Sequence, residues 1–226
     1  MKSGNIYTCI TLLMCFLSAP AVYATDIPAQ EIKIHSGTNW SIYQNNEGYS
    51  IKYINKKNEI FENRRIITKD MSAEDFELES KGNDKISLVL NYPRDVYIFD
   101  FLSEDIPYLK KACKEISLQP AIENQVVTTL TLCVKDKYFY KMSLPDVDAD
   151  SLLSPEKLHL DHALSAVISS NKAFLYDENK KQHIKKPYLI KGDIIEVLNY
   201  DNSWIKIKYS SQKRNIITWI KLTDIL

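Results

Sequence analysis

The C-terminal stretch, Ala173 to Leu226, constrains this chain most. Ala173-Phe174-Leu175-Tyr176-Asp177, Tyr188-Leu189-Ile190-Lys191-Gly192-Asp193, Ser203-Trp204-Ile205-Lys206-Ile207-Lys208-Tyr209 and Thr218-Trp219-Ile220-Lys221-Leu222 are short runs separated by polar turns. Alternation of this kind marks half-buried strands. Several such strands in close succession build a small barrel suited to binding. The stretch contains no evident catalytic group.

The other end reads as a processing segment. Lys2 supplies a positive start, and Ile6 to Leu17 is apolar apart from Thr8 and Thr11. Ala19-Pro20-Ala21-Val22-Tyr23-Ala24 offers small residues at the cleavage positions, so residues 1–24 are expected to be a secretory signal cut after Ala24. The apolar run falls short of the ~20 residues that span a bilayer. Met14 is too bulky for a lipoprotein signal ending at Cys15. The mature protein is therefore expected in the periplasm or the medium, with no membrane anchor.

Of the four cysteines, Cys9 and Cys15 leave with the leader, and Cys113 and Cys133 remain. Two cysteines in an exported chain are expected to form a disulfide. Closing a loop of about 20 residues stabilises by roughly 3 kcal/mol in the chain-entropy model. The alternative is a pair of free thiols, one of them nucleophilic. That needs a nearby histidine, and none lies close in sequence.

Charge narrows the partners. The 29 basic and 29 acidic residues balance, which argues against nucleic acid as a partner. Lys180-Lys181 and Lys185-Lys186 form one basic cluster, read as a solvated loop because Asp177 and Glu178 precede it.

Residues 26–150 read as a β-rich N-terminal domain with one helix. Glu31 to His35 alternates as a strand, and Trp40–Tyr43 and Tyr49–Ile54 flank the hairpin turn Asn45-Asn46-Glu47-Gly48. Further strands are expected at Arg65–Thr68, Phe76–Glu79, Ile86–Leu90, Val96–Phe101 and Gln125–Val134, with Tyr138–Met142 returning as a hairpin. The helix is expected after Ser103, a cap followed by Glu104 and Asp105 in the first turn. Ile106, Leu109, Cys113 and Ile116 would share one of its faces, pointing Cys113 inward. Pro145 to Pro155 reads as an acidic linker, and Glu156 to Leu164 as a second short helix.

Chemistry-bearing patterns are few. Asp146-Val147-Asp148-Ala149-Asp150 begins like a calcium loop, but Ser151 replaces the glycine and Lys157 the bidentate glutamate. His159 and His162 would share a helix face but lack further zinc ligands. No nucleophile elbow, phosphate loop or dinucleotide fingerprint is present, and the chain has five glycines in all. No catalytic residue, metal site or cofactor is assigned from the sequence. An acid–base pair of carboxylates stays open.

Ala163 to Leu226 resembles the bacterial SH3-like (SH3b) domain in the order and spacing of the runs quoted above, with Ile194-Ile195-Glu196-Val197-Leu198 after the diverging turn. Ser203 and Thr218 stand where the family often has glycine before its tryptophans. The resemblance implies a small barrel over residues 163–226 and an overall mainly β fold. It covers about a quarter of the chain, and residues 26–150 resemble no family. Trp219, beside Ile217 and Ile220, is expected in the core. Tyr176, Trp204 and Tyr209 are the candidate contact residues, because aromatics with polar tips suit interfaces. Domains of this family in exported proteins are linked to the cell wall or to envelope protein partners. The first expectation is thus a non-enzymatic binding protein docking on an envelope protein, most concretely an immunity protein or inhibitor of a wall-degrading enzyme. A peptidoglycan-binding module that localises the N-terminal domain is the second, and a hydrolase within residues 26–150 the third.

Overall fold

The computed structural model describes residues 28–33, 37–82, 84–118, 128–211 and 214–226. The leader, with Cys9 and Cys15, lies outside the described residues, as do His35 and the start of the strand expected from Gln125. The fold is mainly β, in antiparallel sheets that share one continuous apolar core from Trp40 to Ile225.

Four strands form the first sheet in sequential order: β1 (Pro28–Lys33), β2 (Asn39–Asn45), β3 (Gly48–Ile54) and β4 (Ile60–Asn63). The β2–β3 turn is the one the sequence announces, with Asn45 opposite Gly48. Gly48 has φ +125°, and a side chain there would meet Lys69. Trp40 pairs with Tyr53 and Ile42 with Ile51, all four fully buried on one face.

The second sheet has six strands: β5 (Phe76–Ser80), β6 (Lys85–Asn91), β7 (Asp95–Leu102), β8 (Tyr108–Leu118), β9 (Thr128–Val134) and β10 (Leu158–Leu160), in the order β10-β9-β8-β7-β6-β5. Leu78, Leu88, Phe99 and Ala112 form one buried row across it, and Val134 pairs with Leu158 at the far edge. This face meets the first sheet. Trp40 stacks at 5.4 Å on Phe101 and its indole donates to Ser103 Oγ at 2.8 Å. Gln30 joins β1 to β5 by donating to Phe76 O and accepting from Leu78 N.

The helix expected from Ser103 to Ile116 is not formed. Tyr108–Leu118 is the strand β8, and Ser103 is the partner of Trp40 rather than a cap. The cause is a bulge. Asp100 opposes Lys111 while Phe101 opposes Leu109, so Lys110 is an extra residue. Leu109 before the bulge and Ala112 and Ile116 after it all face the core, although their parity differs. Together with Cys113 on the opposite face, they mimic a helical repeat.

The expected acidic linker is also different. Leu144, Val147, Ala149, Leu152 and Leu153 are buried, and the segment forms a 3-10 turn at Leu144–Asp146 and one α-helical turn, α1 (Ala149–Leu152). Asn63, itself buried, donates to Leu144 O and Val147 O at 2.7 Å each and accepts from Arg65 N and Ile66 N. All its hydrogen-bonding capacity is used. Neither a strand at Arg65–Thr68 nor a hairpin strand at Tyr138–Met142 is present. Glu156–Leu164 holds a 3-10 turn and then β10, not a helix.

From Leu164 the chain builds a third sheet: β11 (Leu164–Val167), β14 (Ile194–Asp201), β15 (Trp204–Ser211) and β16 (Arg214–Lys221), in that order. Between its first two members run β12 (Lys172–Phe174) and β13 (Tyr188–Ile190), paired with each other. An isolated bridge between Tyr176 and Trp219 ties the end of β12 to β16. The turn from β13 into β14 passes through Gly192 at φ +95°.

Candidate functional site

The side chains of β15 and β16 sort by parity. Ile205 and Ile207 are fully buried in the core, with Ile216 and Ile220 beside them. Trp204 and Lys206 therefore lie on the outer face, and so does Trp219, which opposes Lys206 in register. Trp219 is buried, as expected, at 7% exposed. It lies outside the contiguous apolar cluster, however, and is covered by a roof of charged side chains.

That roof is built from the loop after β12. Glu178 bridges two partners: Lys206 Nζ at 2.8 Å from Oε1, and Trp219 Nε1, which donates to Oε2 at 2.9 Å. The hydrogen bond from Lys206, then that from Trp219, holds the Glu178 carboxyl below its usual range. Lys180 pairs with Asp201 and lies over the Trp219 ring, 5.2 Å from its centroid. Lys206 lies over the same ring at 5.8 Å. Cations over indole faces are favourable electrostatically.

Beside this roof stands the candidate contact pair. The rings of Tyr176 and Trp204 meet edge to face, with centroids 4.8 Å apart and planes at 75°. Both residues are half-buried, which leaves part of each ring open to a partner. Tyr176 is fixed by two backbone hydrogen bonds with Trp219, and its carbonyl also accepts from Thr218 Oγ1 at 2.7 Å. The aromatic pair thus sits on rigid backbone.

Tyr209 does not join them. It shares the parity of Ile205 and Ile207 and packs against the core near the opposite end of β15. The site is therefore Tyr176, Trp204 and Trp219 with Glu178, Lys180 and Lys206. Parity along Ile205 and Ile207 is the sequence signal that places Trp219 outside. The roof of Glu178 and Lys180 depends on the loop path, which no local pattern announces.

The cysteines behave as the loop argument expects. Cys113 and Cys133 oppose each other on β8 and β9, with sulfur atoms 2.07 Å apart, the distance of a disulfide. Both lie on the face opposite the core row. His159 of β10 opposes Cys133 in register, so the fold brings a histidine to the cysteine that sequence spacing kept apart. His162 follows in the turn, its Nδ1 3.6 Å from Asp161. Among the described residues no group of three or more His, Cys, Asp or Glu is arranged to hold a metal ion. No helix among them is long and apolar enough to cross a membrane.

A second concavity, of about 870 Å³, opens on the N-terminal body between Glu104, Ile106, Tyr108, Phe139, Tyr140 and Lys141. Asp105 in its lining pairs with Lys57 at 2.7 Å, which holds its carboxyl below the usual range.

Compared with the known family models, the curated proteins and the solved structures, the chain matches none.

Proposed function

We propose that this chain is a non-enzymatic, exported binding protein that docks on a protein of the cell envelope through the outer face of its C-terminal sheet. The observation that carries the reading is the Tyr176–Trp204 pair, half-open on a rigid sheet beside the roofed Trp219. Aromatic anchors with polar tips, ringed by satisfied charges, are what energetic centres of interfaces are made of. The Cys113–Cys133 disulfide supports an oxidising compartment. The strand order β11-β14-β15-β16, joined to the β12–β13 pair at Tyr176, supports an SH3-like barrel.

The most concrete version is an immunity protein or inhibitor that covers the cleft of a peptidoglycan hydrolase. The test is hydrolysis of cell-wall sacculi by such an enzyme, with and without the purified protein. Inhibition that Trp204→Ala weakens by on the order of 30-fold supports the reading, because a central tryptophan contributes about 2 kcal/mol or more. Inhibition unchanged by Trp204→Ala removes the site. Open aromatic rings beside polar groups also suit sugars. Sedimentation of the protein with sacculi alone, abolished by Trp204→Ala, would instead make it a peptidoglycan-binding module. Clearing of sacculi by the protein itself would make it a hydrolase.

A further inference from the structure

The loop between β12 and β13 carries a surface that the binding face leaves unused. In sequence, Asp177 and Glu178 looked set to neutralise the lysines that follow them. The structure gives those acids other work. Asp177 Oδ1 accepts from Asn179 N and Lys181 N, both at 2.9 Å, and so holds the turn. Glu178 is held by Lys206 and Trp219. Asp193, near the end of β13, accepts from Ile190 N at 2.8 Å. Lys180 alone is taken up, by Asp201. Lys172, Lys181, Lys185, Lys186 and Lys191 join no ion pair among the described residues.

Among these cations sit exposed apolar side chains. Lys186 N donates to His183 O at 2.8 Å, closing a β-turn with Ile184 at its tip. Ile184 is 99% exposed. Turn tips favour Pro, Asn, Asp, Ser or Gly, and a bare isoleucine there gains nothing from folding. Tyr188 and Ile190, 47% and 54% exposed, point outward from β13. They pair in register with Phe174 and Lys172, and the Lys172 ammonium lies 5.0 Å from the Tyr188 ring centroid.

We infer that this face docks reversibly on an anionic phospholipid surface. A convex apolar tip suits a soft medium that can close around it, whereas a folded partner would need a matching pocket. The surrounding unpaired lysines complement anionic headgroups. A tyrosine beside them suits the headgroup level, and the tip isoleucine reaches the acyl boundary. Docking of this kind is peripheral and salt-sensitive, not an anchor. It uses Ile184, Lys185 and Lys186 at the loop tip and the outward side chains of β13, none of which belongs to the Tyr176–Trp204 site.

The test is co-sedimentation of the purified protein, leader removed, with vesicles of phosphatidylglycerol mixed into phosphatidylcholine and with vesicles of phosphatidylcholine alone. The mixed vesicles are expected to bind it, and added salt to release it. The double variant Lys185→Glu, Lys186→Glu is expected to weaken binding at least about tenfold, since each lysine near such a surface contributes about fivefold. Ile184→Asp should weaken it by a similar factor with an unchanged thermal midpoint, because the side chain touches nothing. Trp204→Ala should bind as wild type. Equal binding to neutral vesicles, no binding to either, or an Ile184→Asp variant that binds normally would each overturn the inference. Retention on a polyanion resin that follows the lysines and ignores Ile184, without vesicle binding, would assign the face to an acidic macromolecule and also overturn it.

Discussion

In the N-terminal body, buried polar side chains reach far along the chain. Trp40 bonds to Ser103, Tyr53 to Glu104 O, Asn55 to Asp105 O, and Asn63 to Leu144 and Val147. In the C-terminal sheet the ion pairs stay outside, in Lys180–Asp201, Lys206–Glu178 and Lys208–Glu196, and Thr218 is the buried polar side chain of its strands. The first region uses hydrogen bonds to fix which distant segments meet. The second keeps its ion pairs on the surface, over an apolar core that Thr218 alone among its described strand residues interrupts. Buried polar contacts of the first kind are costly to break, because each orphaned partner stays out of water. Surface pairs contribute little to stability and are free to serve recognition.

Asn63→Ala tests that contrast most severely. It leaves Leu144 O, Val147 O, Arg65 N and Ile66 N without their partner at a buried position. Each such group costs about 1–3 kcal/mol, partly relieved by water that enters. The expected loss is about 4 kcal/mol, read as a shift in the urea midpoint at unchanged slope. Glu178→Gln should move that midpoint little. If the two variants destabilise equally, the division between buried clasp and surface pair fails.

The same contrast explains what could be read from the sequence. The strands from Ala173 onward were legible because alternation over Ile205, Lys206, Ile207 and Lys208 survives unchanged in β15. Carrying that parity one strand further would have placed Trp219 outside and Tyr209 inside. In the N-terminal body the bulge at Lys110 resets parity within β8, so the residues around Cys113 imitated a helix. Pro145 to Pro155 reads as a linker because it is acidic and shows little periodicity, yet Val147, Ala149, Leu152 and Leu153 within it are buried. What buries it is Asn63, more than eighty residues away. No local window carries that information. The disulfide was legible from counting alone. The candidate site was half legible: its aromatics stood out, but its roof depends on the loop path.

Alkali should strike the N-terminal body. Burial first, then the hydrogen bond with Glu62, pushes the Tyr43 phenol up to about 12 from its usual 10.0. Burial also raises Tyr53 and Tyr92. Between pH 10 and about 12 the unfolded chain has released the Tyr43 proton while the folded chain retains it. Stability is therefore fully present below pH 10 and falls as pH climbs through that window. Urea midpoints measured across it should decline more steeply in the wild type than in Tyr43→Phe. Parallel declines would mean that Tyr43 is not the group responsible.

Acid offers the smallest and most local probe, on the other region. The hydrogen bond from Lys206, with that from Trp219, keeps the Glu178 carboxyl below its ordinary value of 4.5. A depressed carboxyl contributes above pH 4.5, and the contribution disappears as pH falls through the lowered folded value. Because Glu178 is a surface group, global stability should hardly register the change. The indole of Trp219 should, since it loses the charged acceptor that lies 2.9 Å away. Tryptophan emission is expected to shift below pH 4.5 in the wild type and to stay flat in Glu178→Gln, with Trp40, buried in the N-terminal body, unaffected. A transition centred above pH 4.5, or one of equal size in the variant, would separate Trp219 from its roof. The outer face would then hold three open aromatics rather than a pair beside a sealed one.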